Sequence, residues 1–300
     1  PVEYDGKPVT ETTKYRQKLQ YPPLPLIEGN EKTSELHTLD DQNRLTTLLT
    51  ERAVDFIKRH RREPFFLYLP HPMPHVPLGV SAKFSTKSAQ GKYGDVIEEL
   101  DWSVGQVLAT LKQLKLDENT LVIFTSDNGP WMNFGNHAGS NGGLREGKGS
   151  CWEGGLRVPF IARWPGQIPE GVISHAMASA LDVLPTLAGV CQTDEPTRRI
   201  DGVSLAALLR GDATAQPREA FYFYYNENSL KAVRRGPWKL VLPHQSRTYE
   251  GEPGRDGFPG VVSERDSVRL ALYDLRRDPG ERFNVLAQHP DVVAQLQQLA

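Results

Sequence analysis

The sequence has little of several features that would decide its class quickly. Its 300 residues contain two cysteines, Cys151 and Cys191, so a disulfide framework is excluded and at most one bridge can form. No apolar run approaches the roughly 20 residues of a membrane-spanning helix, so we expect no integral membrane segment. The net charge is also small, because 35 Lys and Arg residues face 37 Asp and Glu residues and leave −2. Without a basic field, nucleic acid is not an expected partner.

The start of the sequence lacks an initiator Met, a basic stretch and an apolar signal segment. We therefore expect either that a segment has been removed from the chain or that the sequence starts partway through a longer polypeptide. Residues 1–38 are polar and interrupted by prolines, which predicts an extended arm. The remaining composition is that of a globular protein, since 38% hydrophobic and 24% charged residues suit a sizeable core.

Helical and strand-like segments alternate along the first two thirds of the sequence. Apolar residues at helical spacing predict helices over about 40–62 and 95–116. Short apolar runs predict buried strands over 65–69, 120–125 and 158–165. This alternation predicts an α/β fold with a largely parallel sheet and flanking helices, in which ligands gather beyond the carboxyl ends of the strands.

The sequence changes character after about residue 200. Strand-rich segments over 219–243 and 270–275 flank a polar stretch over 245–267 that is rich in Gly, Pro and Arg and is expected to be a mobile loop. A short amphipathic helix ends the chain. We therefore predict a main α/β domain over 1–200 and a smaller α+β subdomain with an antiparallel sheet over 201–300.

Two adjacent oxygen donors, Asp127 and Asn128, directly follow the predicted strand 120–125. A carboxylate and an amide oxygen are the ligands that hard cations such as Ca²⁺ and Mg²⁺ prefer. The tripeptide Asp-Asn-Gly is also ordinary turn chemistry, so the pair alone leaves a metal site and a simple turn as alternatives.

A glycine-rich stretch over 142–150 contains Lys148 and nearly matches a nucleotide-binding P-loop. Backbone N–H groups and a lysine in such a loop can approach an oxyanion closely. The match fails after the lysine, because Gly149 stands where the magnesium-binding hydroxyl is required and Ser150 follows one position late. The stretch also lies well past the strand that should precede a P-loop.

His75 lies between prolines in the loop that follows the predicted strand 65–69. Histidine side chains exchange protons near neutral pH, so a histidine here could protonate a leaving group or hold an anion, although a lone histidine is more often structural. His71 and His137 lie in similar loop-rich segments with weaker claims to a role.

Several segments, taken in order, resemble the formylglycine-dependent sulfatases of the alkaline-phosphatase-like fold, and most nearly the arylsulfatase A and N-acetylgalactosamine-6-sulfatase branch. The resemblance covers about residues 20–300. The segments that carry it are Phe65–Leu69, Met73–Pro77, Tyr93–Asp95, Phe124–Gly129, Gly147–Ser150, Trp152–Pro159, Leu272–Leu275 and Asp278–Glu281.

The resemblance implies a role for each candidate residue. Asp127 and Asn128 match metal ligands of the family, which bind Ca²⁺, with Mg²⁺ as the alternative. Lys148 matches the lysine that contacts the sulfate and the bridging oxygen, and His75 matches a histidine near the leaving group. His137 falls in a substrate-facing loop and is expected to bind substrate only. By the same resemblance, residues 1–200 are the C-terminal portion of the catalytic domain.

The sequence also departs from the family pattern. The family's nucleophile is a formylglycine made from the Cys or Ser of a Cys/Ser-x-Pro-x-Arg motif by a maturing enzyme, and no such motif occurs here. The first Asp pair of the metal site and the Lys-x-His motif that follow the family's first strands are likewise absent, since Lys58-Arg59-His60 has the spacing of that motif but lies at the end of a predicted helix. We therefore expect the C-terminal two-thirds of a sulfatase, inactive by itself, with the formylglycine in a preceding segment.

The resemblance implies a sulfated small molecule or glycan as substrate, and export to the periplasm, the cell exterior or lysosomes. Two alternatives stay open. In the first, the chain is part of a non-catalytic relative that binds sulfated glycans. In the second, it is part of a metal-dependent phosphohydrolase of the same superfold.

Overall fold

The computed structural model describes residues 23–194, 196–226 and 228–300. Most of the predicted N-terminal arm therefore lies outside the described residues. The chain forms two compact units, and the first contains the described residues up to Asp117 together with Asn133–Gly139 and Glu252–Val261. The rest belongs to the second unit. These units do not test the predicted domain boundary near residue 200, which stays a prediction.

The first unit consists of a β-hairpin and helices. Its elements are β1 (Leu24–Glu28), β2 (Glu31–Leu36), α1 (Leu39–Gln42), α2 (Leu45–Arg59) and α3 (Gly91–Gln113). The two long helices confirm the two predicted from apolar spacing. Thr38 caps α1 in a capping box, in which its side chain accepts from the Asp41 N–H and the Asp41 carboxylate accepts from the Thr38 N–H.

Helices α2 and α3 pack against each other and hold the loop that joins them. Met73, Leu78 and Val80 of this loop are buried with Val96 of α3. Hydrogen bonds of the buried Glu99 carboxylate connect the same elements. It accepts from the Thr47 hydroxyl of α2 at 2.8 Å and from the Ser81 N–H of the loop at 2.8 Å. The loop is therefore fixed to α3 at several points.

The second unit contains the remaining elements. They are β3 (Val122–Thr125), α4 (Glu153–Leu156), β4 (Phe160–Arg163), α5 (Val183–Cys191), α6 (Ala206–Leu209), β5 (Ala220–Tyr225), β6 (Ser229–Arg235), β7 (Trp238–Val241), β8 (His244–Thr248), β9 (Ser263–Val268), β10 (Ala271–Asp274) and α7 (Pro290–Leu299). Strands β3 and β4 form an antiparallel pair, as do β8 and β9.

A four-stranded antiparallel sheet with the order β10-β7-β6-β5 is the centre of the second unit. Side chains alternate between its faces. One face carries Val233, Leu240 and Leu272, which are buried against Leu296 of α7. The other face carries a second apolar cluster that includes residues of the 145–155 segment. The members of that cluster are Cys151, Trp152, Phe223, Ala232, Val241, Ala271, Tyr273 and Leu275.

The predicted α/β class with a smaller antiparallel C-terminal sheet is confirmed. Every strand ladder among the described residues is antiparallel, so these residues contribute no parallel pair to the sheet expected from the sequence. The predicted strand over 65–69 is wrong in this respect, because the segment forms no ladder with the described residues. Phe66 and Tyr68 are 72% and 76% exposed, so the apolar run is not buried as expected.

The prediction of a mobile loop over 245–267 is wrong at both ends of that segment. These ends form the β8–β9 ribbon, in which His244 is paired with Val268 and Gln245 with Ser267. The ladder bonds are reinforced by side chains, since Arg247 donates to both carboxylate oxygens of Glu264 at 3.0 and 2.7 Å. Cross-strand pairing, which composition does not reveal, orders this polar stretch.

Within the described part of the chain, none of the helices combines the length and the apolar character needed to cross a membrane.

Candidate functional site

The Asp127–Gly129 turn directly follows β3, as predicted. The Asp127 side chain is exposed and Asn128 is partly exposed. Among the described residues, the Asp127 carboxylate has one weak hydrogen bond, from the Ser126 hydroxyl at 3.5 Å. The turn therefore presents one carboxylate and one amide to solvent with little internal competition for their oxygens.

The loop that carries Lys148 packs directly on this turn. The Lys148 N–H donates to the Pro130 carbonyl at 2.9 Å, and the Gly129 N–H donates to the Gly155 carbonyl at 2.8 Å. The Lys148 ammonium lies 5.3 Å from the centre of the Trp131 ring, within the range of a cation–π contact. Asp127, Asn128 and Lys148 are thus brought together by backbone hydrogen bonds.

The approach of the two backbones requires glycine. A Cβ added at Gly129 would lie 1.8 Å from the Gly154 carbonyl oxygen, and one at Gly155 would lie 2.5 Å from the Ser150 oxygen. No real Cβ approaches another atom so closely. A side chain at Gly129 would force the turn and the loop apart, and one at Gly155 would clash within the loop itself, with the carbonyls of Ser150 and Gly147.

The β8–β9 ribbon holds the same loop from another side. The Glu146 carboxylate accepts from the Thr248 hydroxyl at 2.9 Å and from the Tyr249 N–H at 2.9 Å. The Tyr249 hydroxyl donates to the Lys148 carbonyl. Glu146 has a φ of +56°, a left-handed conformation that these bonds hold in place.

A buried ion cluster lies beneath the loop. The Lys239 ammonium, which is fully buried, is 2.8 Å from Glu281 Oε1, 3.1 Å from Glu153 Oε1 and 2.7 Å from the Cys151 carbonyl oxygen. Burial raises the pKa of Glu281, and the Lys239 ammonium opposes that rise. We name Lys239, Glu153 and Glu281 the buried ion cluster.

Sequence reasoning missed the buried ion cluster. One signal was present, because Lys239 stands alone as a charge in the apolar run 238–242. Its partners are 86 and 88 positions earlier in the sequence, at Glu153 and Cys151, so no local pattern pointed to them.

Neither cysteine is a candidate nucleophile. Both are free thiols. Burial raises the pKa of the Cys151 thiol to about 11, so it stays protonated at neutral pH. Cys191 is exposed at the end of α5. The sequence excludes a motif for converting either into a formylglycine, as noted above.

His75 and His137 belong to the first unit, so their placement relative to Lys148 stays a prediction. His75 is exposed in the loop of cis prolines, and its Nδ1 lies 2.6 Å from the Val76 carbonyl oxygen. Because a carbonyl only accepts, Nδ1 must be the donor in this contact.

His137 is buried in a segment held by residues of the 252–261 stretch. The Gly254 N–H donates to the Asn133 carbonyl at 2.8 Å, and Asn136 and Asp256 exchange two hydrogen bonds. Burial and the Lys92 charge lower the pKa of His137, and Asp256 opposes them. This histidine is therefore suited to act as a neutral ring.

The donor set at Asp127 and Asn128 fits a hard divalent cation but does not complete a site. Among the described residues, no group of three or more His, Cys, Asp or Glu side chains could hold a metal ion. Calcium takes six to eight oxygen ligands. These two side chains would therefore supply part of a coordination shell that also requires oxygens from elsewhere.

Comparison with known proteins decides the family. The family profile described as Sulfatase matches residues 4–193, which is more than half of the chain. The chain belongs to the sulfatase family. Two further profiles match it: N-sulphoglucosamine sulphohydrolase, C-terminal, over 147–241, and the C-terminal region of aryl-sulfatase over 216–300.

Individual sulfatases show how much of such a protein the chain represents. It is 39% identical over 253 residues to N-acetylgalactosamine-6-sulfatase of Canis lupus familiaris, covering 80% of this chain and 48% of that protein. It is 38% identical to Arylsulfatase A of Homo sapiens, covering 79% of this chain and 48% of that protein. The chain thus spans about half the length of these relatives.

The fold agrees with that of solved sulfatases. A sulfatase from Pseudoalteromonas sp. superposes with a TM-score of 0.83 at 25% identity, covering 96% of this chain and 59% of that one. The nucleotide-binding alternative for 142–150 loses its structural support, because the helix that follows Lys148 is α4, of four residues, and does not begin at the lysine.

The contact between turn and loop can be tested with a glycine substitution. We expect Gly129→Ala to lower the free energy of unfolding by about 1–3 kcal/mol, because its Cβ overlaps the Gly154 carbonyl. The matched control is Gly105→Ala, which adds a Cβ with nothing within 4 Å in helix α3. The control should raise stability by roughly 0.5–1 kcal/mol. Urea denaturation compares the two, and equal effects would contradict the contact.

The buried histidine predicts a pH dependence of stability. A lowered pKa for His137 means that the unfolded chain binds protons more readily than the folded one, so the free energy of unfolding falls as pH drops below about 6.5. His137→Asn should make this fall smaller between pH 7.5 and 5.5. Denaturation at the two pH values measures it. His175→Asn, at an exposed position, serves as the control, and an unchanged slope in His137→Asn would count against the assignment.

Proposed function

We propose that this chain supplies the lysine and part of the metal site of a sulfate-ester hydrolase. The observation that supports the proposal is the pair of backbone hydrogen bonds, Lys148 N–H to Pro130 and Gly129 N–H to Gly155, that hold the loop bearing Lys148 against the Asp127–Gly129 turn. Membership of the sulfatase family and the names of its relatives support the reaction class. A carbohydrate or aryl sulfate is the proposed substrate class, because the relatives are named for such substrates.

Lys148 is the proposed sulfate-binding group. Its backbone is held by hydrogen bonds with Pro130 and Tyr249, and its ammonium, a compact charge, lies 5.3 Å from the Trp131 ring centre, so the loop limits where the cation can meet a sulfate oxygen. Charge shifts toward the bridging oxygen as the ester bond breaks, and a fixed cation at that position lowers the barrier. His75 is the proposed proton donor to the leaving alcohol, through Nε2.

Asp127 and Asn128 are the proposed ligands of Ca²⁺, with Mg²⁺ as the alternative. When bound, such an ion neutralises negative charge on the sulfate. His137 is proposed as a neutral hydrogen-bonding contact to substrate, in keeping with its lowered pKa. The boundary near residue 200 and export of the protein stay predictions, and so does a maturing enzyme for the formylglycine.

The nucleophile is not among the candidates that this chain offers. No Cys/Ser-x-Pro-x-Arg motif occurs in the sequence, and the Cys151 thiol is buried and protonated. We therefore propose that these 300 residues bind a cation and hydrolyse no sulfate ester by themselves.

Calcium binding tests the metal site. We expect isothermal titration of the chain with CaCl₂ to show weak binding, with a Kd on the order of 10⁻⁴–10⁻³ M, because two side chains give an incomplete shell. Asp127→Asn should abolish it. Asp201→Asn removes an equal charge at an exposed position outside the turn and should leave it unchanged. Equal binding by the two variants would refute the assignment.

Turnover tests the missing nucleophile. We expect the purified chain to release no 4-nitrophenol from 4-nitrophenyl sulfate above the rate of a Lys148→Ala variant. If release occurs and Lys148→Ala removes it, the chain contains a complete active site and the proposal of inactivity fails. Side-by-side rates on 4-nitrophenyl phosphate would then distinguish a sulfatase from a phosphohydrolase.

A further inference from the structure

Lys239 of the buried ion cluster belongs to a row of polar side chains across the central sheet. Strand register pairs Arg234 of β6 with Lys239 of β7, and Lys239 with Tyr273 of β10. Directly paired residues on neighbouring strands point to the same face. This is the face that also carries Val241 and Tyr273 against Cys151 and Trp152. The row therefore lies under the 145–155 loop.

Each member of the row contacts the base of that loop. Lys239 contacts Glu153 and the Cys151 carbonyl, at 3.1 and 2.7 Å. Arg234 lies 3.5 Å from the other Glu153 oxygen. The loop reaches back with Arg145, which donates to the Tyr273 hydroxyl at 3.3 Å.

Glu281 closes the arrangement from the C-terminal segment. One of its carboxylate oxygens lies 2.8 Å from Lys239, and the other accepts the Glu153 N–H at 2.7 Å. Its carbonyl accepts from Arg145 at 3.1 Å. The carboxylate and the carbonyl of one residue thus hold both ends of the loop, near residues 145 and 153.

Hydrogen bonds within the loop connect its two ends and its middle, so we expect a displacement of the ends to displace the middle as well. The Gly154 N–H donates to the Arg145 carbonyl at 2.8 Å, and the Ser150 hydroxyl donates to the Gly147 carbonyl at 2.8 Å. Lys148 is at the tip. Since the loop is closed by internal bonds, a shift at its base moves Lys148 as well.

We propose that Lys239, Glu153 and Glu281 form a positioning cluster that sets the orientation of Lys148. The proposal rests on the proposed function, in which Lys148 contacts sulfate. None of the three residues touches substrate or the reacting atoms; they act through the loop. The chemistry of the site assigns them no other task.

Stability alone does not explain the presence of these charges. Removing a lysine and two carboxylates from water costs several kcal/mol per ion, and apolar residues of similar volume are often at least as stable in such positions. In some proteins a buried ionic group selects one arrangement where apolar contacts allow several, and we infer that role here. At this position, a defined arrangement of the loop is what the buried ion cluster adds.

The test compares two charge-neutral double variants. Lys239→Met with Glu281→Gln removes one charge of each sign from the buried ion cluster. Arg235→Met with Glu219→Gln does the same to an exposed ion pair beside the same sheet. Circular dichroism and denaturation establish whether each variant is folded.

The readout is the indole N–H resonance of Trp131, assigned with Trp131→Phe. In the parent chain, Lys148→Met should shift this resonance, because the ammonium lies 5.3 Å from the ring centre. In the cluster variant, we expect the shift on Lys148→Met to fall to less than half its parent value. Amide hydrogen exchange at residues 147–150 should become at least tenfold faster. In the surface variant, both should remain as in the parent.

A folded cluster variant that keeps the full Trp131 shift and the parent exchange rates would overturn the proposal. If the double variant does not fold, Glu281→Gln alone replaces it, because this change keeps the side-chain shape and removes one charge. The Trp131 shift and the exchange rates are measured on it, and parent values for both would again overturn the proposal. Neither readout uses calcium, sulfate or turnover. Failure here would therefore leave the proposed function standing, and failure of the metal or turnover tests would leave this result unaffected.

Discussion

The attraction between the Lys239 ammonium and two buried carboxylates is the interaction on which the geometry of the second unit depends. Without that cation, Glu153 and Glu281 would be like charges out of contact with water, an arrangement that costs several kcal/mol unless one of the carboxylates takes up a proton. With it, three distant segments of the chain meet at one point: strand β7, the loop that bears Lys148, and the segment after β10. The sheet, whose other face is covered by α7, serves as the rigid base of that loop.

A second constraint is steric. Where the Asp127–Gly129 turn meets the loop, two backbones touch with no side chain between them, and the glycine at 129 makes this contact feasible, while the glycine at 155 allows the loop to close on itself. The resulting hydrogen bonds join backbone groups, so they fix the positions of Cα atoms more directly than side-chain packing would. The oxygen donors and the lysine are therefore held by the backbone, and their own side chains stay available to a ligand.

The sequence pattern predicted those elements whose formation depends on residues close together in the sequence. The apolar spacing of α2 and α3 and the run that forms β3 follow from periodicity, and the order of motifs led to Asp127, Asn128 and Lys148. The failures share one cause, which is pairing over long distances. The 65–69 run looks like a strand yet has no ladder among the described residues, and the polar 245–267 stretch is ordered by cross-strand bonds. Lys239 was missed because its partners lie 86 and 88 positions away.

Charge balance would give the proposed metal ligands a purpose beyond coordination. Around the base and sides of the loop, the cations Arg145, Arg234 and Lys239 formally cancel the carboxylates Glu146, Glu153 and Glu281, so this network adds no net charge to the surface above it. Asp127 and Lys148 are opposite charges and cancel as well. A divalent cation held by the proposed ligands Asp127 and Asn128 would bring the sum over these residues to +2, enough to draw in an anion and to neutralise it. With the proposed roles, the bound cation would assist Lys148 in attracting a sulfate ester, because the neutral network beneath the loop would leave the cation to determine the sign of the site.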